Sequence, residues 1–185
     1  MGRGLSAKLC YKITPMESKL KSKLISSYKE EMVAFLKLQP EHFNEAIELA
    51  ISDDQPFAWR SAFLLSSCME DNDARVKKYI KPILACIKSK KDGHQRELLK
   101  ILYRMQLTNK SEGIVFDVCI RLWEQISKDP SVRITALKFI FKIAKQHPEL
   151  LNEITPLLQD HYLELLSPGV KKSIRKMIKE IIDRD

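Results

Sequence analysis

Four basic side chains, Arg60, Arg96, Arg133 and Lys171, recur along the 185-residue chain at intervals of 36, 37 and 38. Cations at a fixed period can do one of two things. Lined up on one surface, they form a ladder that meets phosphates or carboxylates of a partner. Turned inward, each holds the start of its own repeat by pairing with a loop acid. Asp54 lies six before Arg60, Asp92 four before Arg96, and Asp129 four before Arg133. The inward role is the expected one, since every unit of a repeating structure needs its start held. Trp59 and Trp123 add aromatic surface, with Trp59 placed to face a groove and Trp123 to pack in the core. Lys138, Lys142 and Arg175 add positive charge. The candidate partner-binding residues are therefore Trp59, Arg60, Arg96, Arg133 and Lys138.

Enzymatic patterns are missing at the level of spacing. His42, His94, His147 and His161 never come within four residues of one another, so no helical metal-ligand pair exists. Cys10, Cys68, Cys86 and Cys119 form no C-x-x-C pair. The last three sit among apolar residues at helical spacing and read as buried thiols. No G-x-S-x-G, G-x-x-x-x-G-K or G-x-G-x-x-G occurs. No catalytic residue, metal or cofactor is expected.

A net charge of +8 and a pI near 9.3 invite an anionic partner. The charge alternates along the chain, however. Residues 1–40 hold eight Lys or Arg against three Glu, residues 41–54 hold five acids and no Lys or Arg, and residues 75–91 hold seven cations and no acid. That alternation fits solvated helix faces. No apolar run approaches the roughly 20 residues of a membrane span, and the N-terminal stretch lacks a signal-peptide core, so a cytoplasmic location is expected.

Few glycines and many Leu, Ile, Lys and Glu favour helices. Residues 1–13 read as a flexible lead. Thr14-Pro15-Met16-Glu17 is a capping signal opening one helix to residue 38, with Leu20, Leu24, Tyr28, Met32 and Phe35 on one stripe. Beyond Pro40 the pattern becomes helical pairs over about 41–70, 74–106, 112–147 and 149–183, with Pro156 marking a kink in the last. Their second helices begin near residues 57, 93, 131 and 169, at intervals of 36, 38 and 38. That is the period of helical-hairpin repeats.

Asp129-Pro130-x-Val132-Arg133-x-x-Ala136, followed by Ile140, Ile143 and Pro148, resembles the second helix of a HEAT repeat. Trp59-Arg60-x-Ala62, Gln95-Arg96-x-Leu98 and Val170-Lys171 match it in part. Residues 41–185 carry the resemblance, which is nearest to small uncharacterised bacterial members of the armadillo-type superfamily. The resemblance implies an all-α, right-handed solenoid of about four hairpins plus an N-terminal helix, with second helices lining a concave surface. It also implies an Asp–Arg ladder between repeats. The function implied is a scaffold that binds a macromolecule, most readily a protein segment. The alternative is nucleic-acid binding, as in HEAT-like alkylpurine DNA glycosylases, although no acid can be matched to those enzymes' catalytic one. Ser66-Ser67-Cys68-Met69 is similar to the opening of the fumarase/adenylosuccinate lyase signature loop. Its Pro, Lys and Asn are replaced here by Glu70, Asn72 and Ala74, which excludes that chemistry.

Overall fold

Helix caps written into the sequence set most of the element boundaries. In the computed structural model, which describes residues 18–182, Ser18 Oγ accepts from Lys21 N–H and opens α1 (Lys19–Ser26). The expected lead at residues 1–13 and the capping signal at Thr14–Glu17 lie outside the described residues. Next come α2 (Lys29–Leu38), α3 (Phe43–Ile51) and α4 (Phe57–Cys68). They are followed by α5 (Ile80–Cys86), α6 (Asp92–Tyr103), α7 (Asn109–Glu124) and α8 (Pro130–Ala144). Short α9 (Leu151–Ile154) and α10 (Asp160–Leu163) precede α11 (Pro168–Ile182). Among the described residues there is no strand.

The helices pack as pairs, α3 on α4 and α7 on α8. The second helices α4, α6 and α8 lie side by side, and α5 fits between α3 and α7 in the other row. One continuous apolar core runs between the rows, from Leu20 and Leu24 through Ile47, Leu98 and Trp123 to Ile174. Cys119 is buried in it, while Cys68 and Cys86 are half-buried at its edge.

Three departures from the sequence pattern have local causes. The helix expected over 14–38 is broken at Ser27 and Tyr28, both in extended conformation. Arg60 reaches that break, donating from Nε to Leu24 O and from Nη2 to Ser27 O at 3.3 Å. It thereby satisfies carbonyls that the end of α1 leaves unpaired. α7 starts at Asn109, several residues before the apolar run, because Thr108 Oγ1 accepts from Ser111 N–H. The first helix of the last pair, expected to kink at Pro156, is instead α9 and α10 joined by a tight turn over Thr155–Leu158 and extended Gln159. Pro156 in that turn has no N–H and cannot continue an α-helix.

The two ends of the array share a start signal. Pro40-Glu41 opens a 3-10 turn into α3, with Asn44-Glu45 following; Pro148-Glu149 does the same into α9, with Asn152-Glu153 following. The offset is 108 residues, three units of 36. Proline at the first position of a helical turn sacrifices no hydrogen bond, which suits it to start a unit.

Candidate functional site

On each second helix, residues at i, i+4 and i+7 leave the core and share one face. α4 offers Trp59, Phe63 and Ser66; α6 offers Arg96, Lys100 and Tyr103; α8 offers Ser131, Thr135, Lys138 and Lys142. None of these is buried. All of them except Arg96 and Ser131 line three clefts. Trp59 and Phe63 meet the α1–α2 turn around Tyr28 in a cleft of 420 Å³. Ser66, Lys100, Tyr103, Arg104, Thr135 and Lys138 surround a second of 270 Å³. Tyr103, Lys138 and Lys142 continue into a third of 450 Å³, closed by Met177 and Glu180 of α11.

The two helix rows carry opposite charge. α4, α6 and α8 hold six cations (Arg60, Arg96, Lys100, Arg133, Lys138, Lys142) against two acids, Asp92 and Glu97. α3, α5 and α7 hold three cations against five acids (Glu45, Glu48, Glu112, Asp117, Glu124). Even the two acids of the second row are occupied. Glu97, fully buried, accepts from Ser66 Oγ at 2.8 Å, Arg96 Nε at 2.7 Å and Lys100 Nζ at 3.1 Å. Asp92 accepts from Lys128 Nζ at 2.7 Å and Asp129 N–H at 2.8 Å, and these donors hold its carboxyl below the usual carboxylate range.

The aromatic groups are held between cations. Trp59 stacks on Phe63 with centroids 6.1 Å apart, and Lys29 Nζ lies 5.8 Å from the Phe63 ring. The indole also covers Gly93 at the start of α6, where an added Cβ would stand 3.4 Å from Trp59 Nε1. Tyr103 meets Phe139 edge-on, and Lys142 Nζ sits 4.7 Å above the Tyr103 ring. Burial lowers the Lys142 pKa from its ordinary value.

Among the residues singled out from the sequence, Trp59, Arg96 and Lys138 come together on this face. Lys138 makes no hydrogen bond or ion pair among the described residues. Arg96 is anchored to Glu97 and to Ser131 Oγ at 3.0 Å. Arg60 turns away to the end of α1. Arg133 is fully buried, with Nε on Trp123 O at 3.1 Å and Nη2 on Tyr162 O at 2.7 Å. Its guanidinium stacks on Trp123, 4.6 Å from the ring centroid. Trp123 itself is core, and its N–H donates to Leu157 O at 2.7 Å.

The ladder between repeats does not use the three expected Arg–Asp pairs; it runs through Lys–Asp pairs, with Arg104 on Asp71 at 2.7 Å an Arg–Asp rung at a different position. Asp53 takes Lys90 at 2.5 Å, Asp54 takes Lys21 at 2.7 Å and Asp92 takes Lys128. None of the pairs Asp54–Arg60, Asp92–Arg96 and Asp129–Arg133 forms an ion pair. Arg60 and Arg133, one turn into their helices, reach the ends of neighbouring helices, whereas Lys90 and Lys128, in the loops before α6 and α8, reach back to the start of the preceding second helix or its loop. Phe63, Lys100 and Tyr103 were not singled out from the sequence. Extending the i, i+4, i+7 spacing from Trp59 and Arg96 finds all three.

Among the described residues no group of three His, Cys, Asp or Glu is gathered to hold a metal. No helix among them is long and apolar enough to cross a membrane. No curated protein and no solved structure matches the chain. A family model described as a HEAT repeat domain matches residues 16–181, nearly the whole sequence. The paired helices, the aligned second row and this match agree, and the chain belongs to the HEAT repeat family.

Proposed function

We propose that the protein is a non-enzymatic scaffold whose second-helix face binds an acidic segment of a partner protein. In this reading it is a right-handed solenoid of about four helical pairs, and the face carrying Trp59, Arg96 and Lys138 is its concave side. The observation that carries the reading is the separation of charge between helix rows: with Arg60 and Arg133 set aside, four cations (Arg96, Lys100, Lys138, Lys142) face two acids in the second row, against three cations and five acids in the other. Glu97 offsets part of the charge of Arg96 and Lys100, while Lys138 has no hydrogen-bond or ion-pair partner among the described residues and is open to an incoming carboxylate. Phe63, Lys100 and Tyr103 belong to the same surface. Arg60 and Arg133 serve helix ends instead.

A second reading, nucleic-acid binding, draws on the alternation of Trp59, Phe63 and Tyr103 with cations, since bases stack on rings between phosphate contacts. One titration separates the two. Labelled oligoglutamate, duplex DNA and single-stranded DNA are added to the pure protein at low salt and followed by fluorescence anisotropy. Oligoglutamate binding that Lys138→Glu weakens supports the protein-partner reading. DNA binding with a steep log-linear salt dependence, without oligoglutamate binding, selects the second reading. Binding of neither probe overturns both.

A further inference from the structure

The binding face is not uniform from end to end. At the α4 end its cations are engaged: Arg60 holds Leu24 O and Ser27 O, and Lys29 lies over the Phe63 ring. What this end offers instead is apolar surface. Tyr28 is 82% exposed and Ile25 52% exposed, and both border the same cleft as Trp59 and Phe63. Five large apolar side chains around one cleft, with Met32 at its buried base and no acid in its lining, differ from scattered surface hydrophobics. At the α6–α8 end the surface is cationic instead, although Lys100 is paired with Glu97 and Lys142 donates to Tyr103 O. Lys100, Lys138 and Lys142 stand around the adjoining clefts with the hydroxyls of Ser66 and Thr135. Lys138 has no hydrogen-bond or ion-pair partner among the described residues; Glu97 is buried beneath this end, and Glu180 of α11 closes the far side of the cleft.

We infer that the partner segment carries one bulky apolar side chain, seated in the Tyr28–Trp59–Phe63 cleft, and an acidic run that lies along Lys138 and Lys142 of α8. The inference rests on the acidic-segment reading above and gives it a motif. The spacing follows from helix packing. Neighbouring helices pack about 8–10 Å apart, so α4 and α8 are separated by roughly 16–20 Å. An extended chain advances about 3.3 Å per residue, so the apolar residue and the acidic run are about five to six residues apart. The cleft is stiff where the apolar group lands, because Trp59 is pinned between Phe63 and the first turn of α6 at Gly93. A preformed apolar cleft binds without an ordering cost of its own.

The experiment uses the full chain and three labelled peptides bearing the same tetraglutamate run. The first has Leu five residues from the run, the second has Leu adjacent to it, and the third has Ala in place of Leu. Anisotropy titrations are expected to give the first peptide an affinity about tenfold above the other two, the gain from burying one leucine side chain. Trp59→Ala should abolish that preference. Tyr28→Ala should also reduce it, and that exposed side chain can be removed without touching the core. Equal affinity for all three peptides, or a preference that Tyr28→Ala leaves intact, overturns the inference while leaving the acidic-segment reading standing. No binding of any peptide overturns that reading itself. A single-stranded oligonucleotide of equal charge that binds more tightly than the first peptide, and is weakened by Tyr28→Ala, overturns the assignment of the cleft to a protein side chain.

Discussion

Lys128 Nζ donates to Asp92 Oδ1 at 2.7 Å across 36 residues, joining the start of one second helix to the start of the one before. Asp129 N–H donates to the other oxygen of Asp92, and Lys128 also reaches Gln95 Oε1 at 3.0 Å. Lys90 repeats the pattern one unit earlier, on Asp53 at 2.5 Å and Ser52 O at 2.6 Å. These rungs fix how far each unit is displaced from its neighbour, and so how the three surface stripes line up.

The rungs make stability depend on acid. Asp92 has a depressed pKa through Lys128, and Asp53 through Lys90. A carboxyl depressed on folding contributes stability that is present above its unfolded value, near 3.9, and is lost as pH falls through the folded value. The carboxylate share of the urea midpoints should therefore hold above about pH 4 and drop below it. Asp92→Asn should flatten the drop and cost about 1 kcal/mol at neutral pH. An unchanged acid limb in that variant would remove Asp92 from the ladder.

His94 adds a second, milder window. It is buried, with Nε2 2.7 Å from Ala50 O and Nδ1 3.2 Å from Gln55 Nε2. The carbonyl requires Nε2 to donate, which leaves Nδ1 to accept from the amide, so the ring is neutral. Burial lowers its pKa. The unfolded chain takes up the proton near pH 6.5 and the folded chain only below that, so stability falls as pH drops from about 6.5. Replacing His94 by Gln should erase this part of the pH profile in thermal melts. A slope between pH 7 and 5 that survives the replacement assigns it elsewhere.

Removing Arg133 should cost about 3 kcal/mol in urea unfolding, because two carbonyls lose their donor and Trp123 loses its stacked cation. Arg133→Lys should recover little, since one ammonium cannot reproduce the planar fork that spans Trp123 O and Tyr162 O. A variant with native stability would show that the guanidinium does not join α7 to α10.

Ser61 is the opposite case. Its side chain is fully buried on α4 and its hydroxyl has no hydrogen-bond partner among the described residues. Ser61→Ala removes an unpaired polar group and adds helix propensity, so the melting temperature should stay level or rise by the equivalent of up to about 1 kcal/mol. A marked fall would reveal a hydrogen bond made in solution.

Helix pairing was legible in the sequence wherever local chemistry decides it. Asp129-Pro130 caps α8, with Asp129 Oδ1 accepting from Ser131 N–H at 2.7 Å, and Pro40 and Pro148 open their units. Trp123 was legible as core by its place in a first helix. What could not be read was the partner of each charge. Arg60, Arg96 and Arg133 occupy near-equivalent positions, yet one serves the end of α1, one leans on Glu97 and Ser131, and one is buried against Trp123.

The sequence alone determines the period, the helix starts and the apolar stripes, because each depends on residues within one or two turns of one another. Only the tertiary structure decides which cations reach the surface. A long side chain chooses among carbonyls and carboxylates some thirty-five residues away, and that choice depends on where neighbouring helices end. Arg133 and Lys138 lie five residues apart on one helix, and only their neighbours make the first a buried tie and the second an exposed charge.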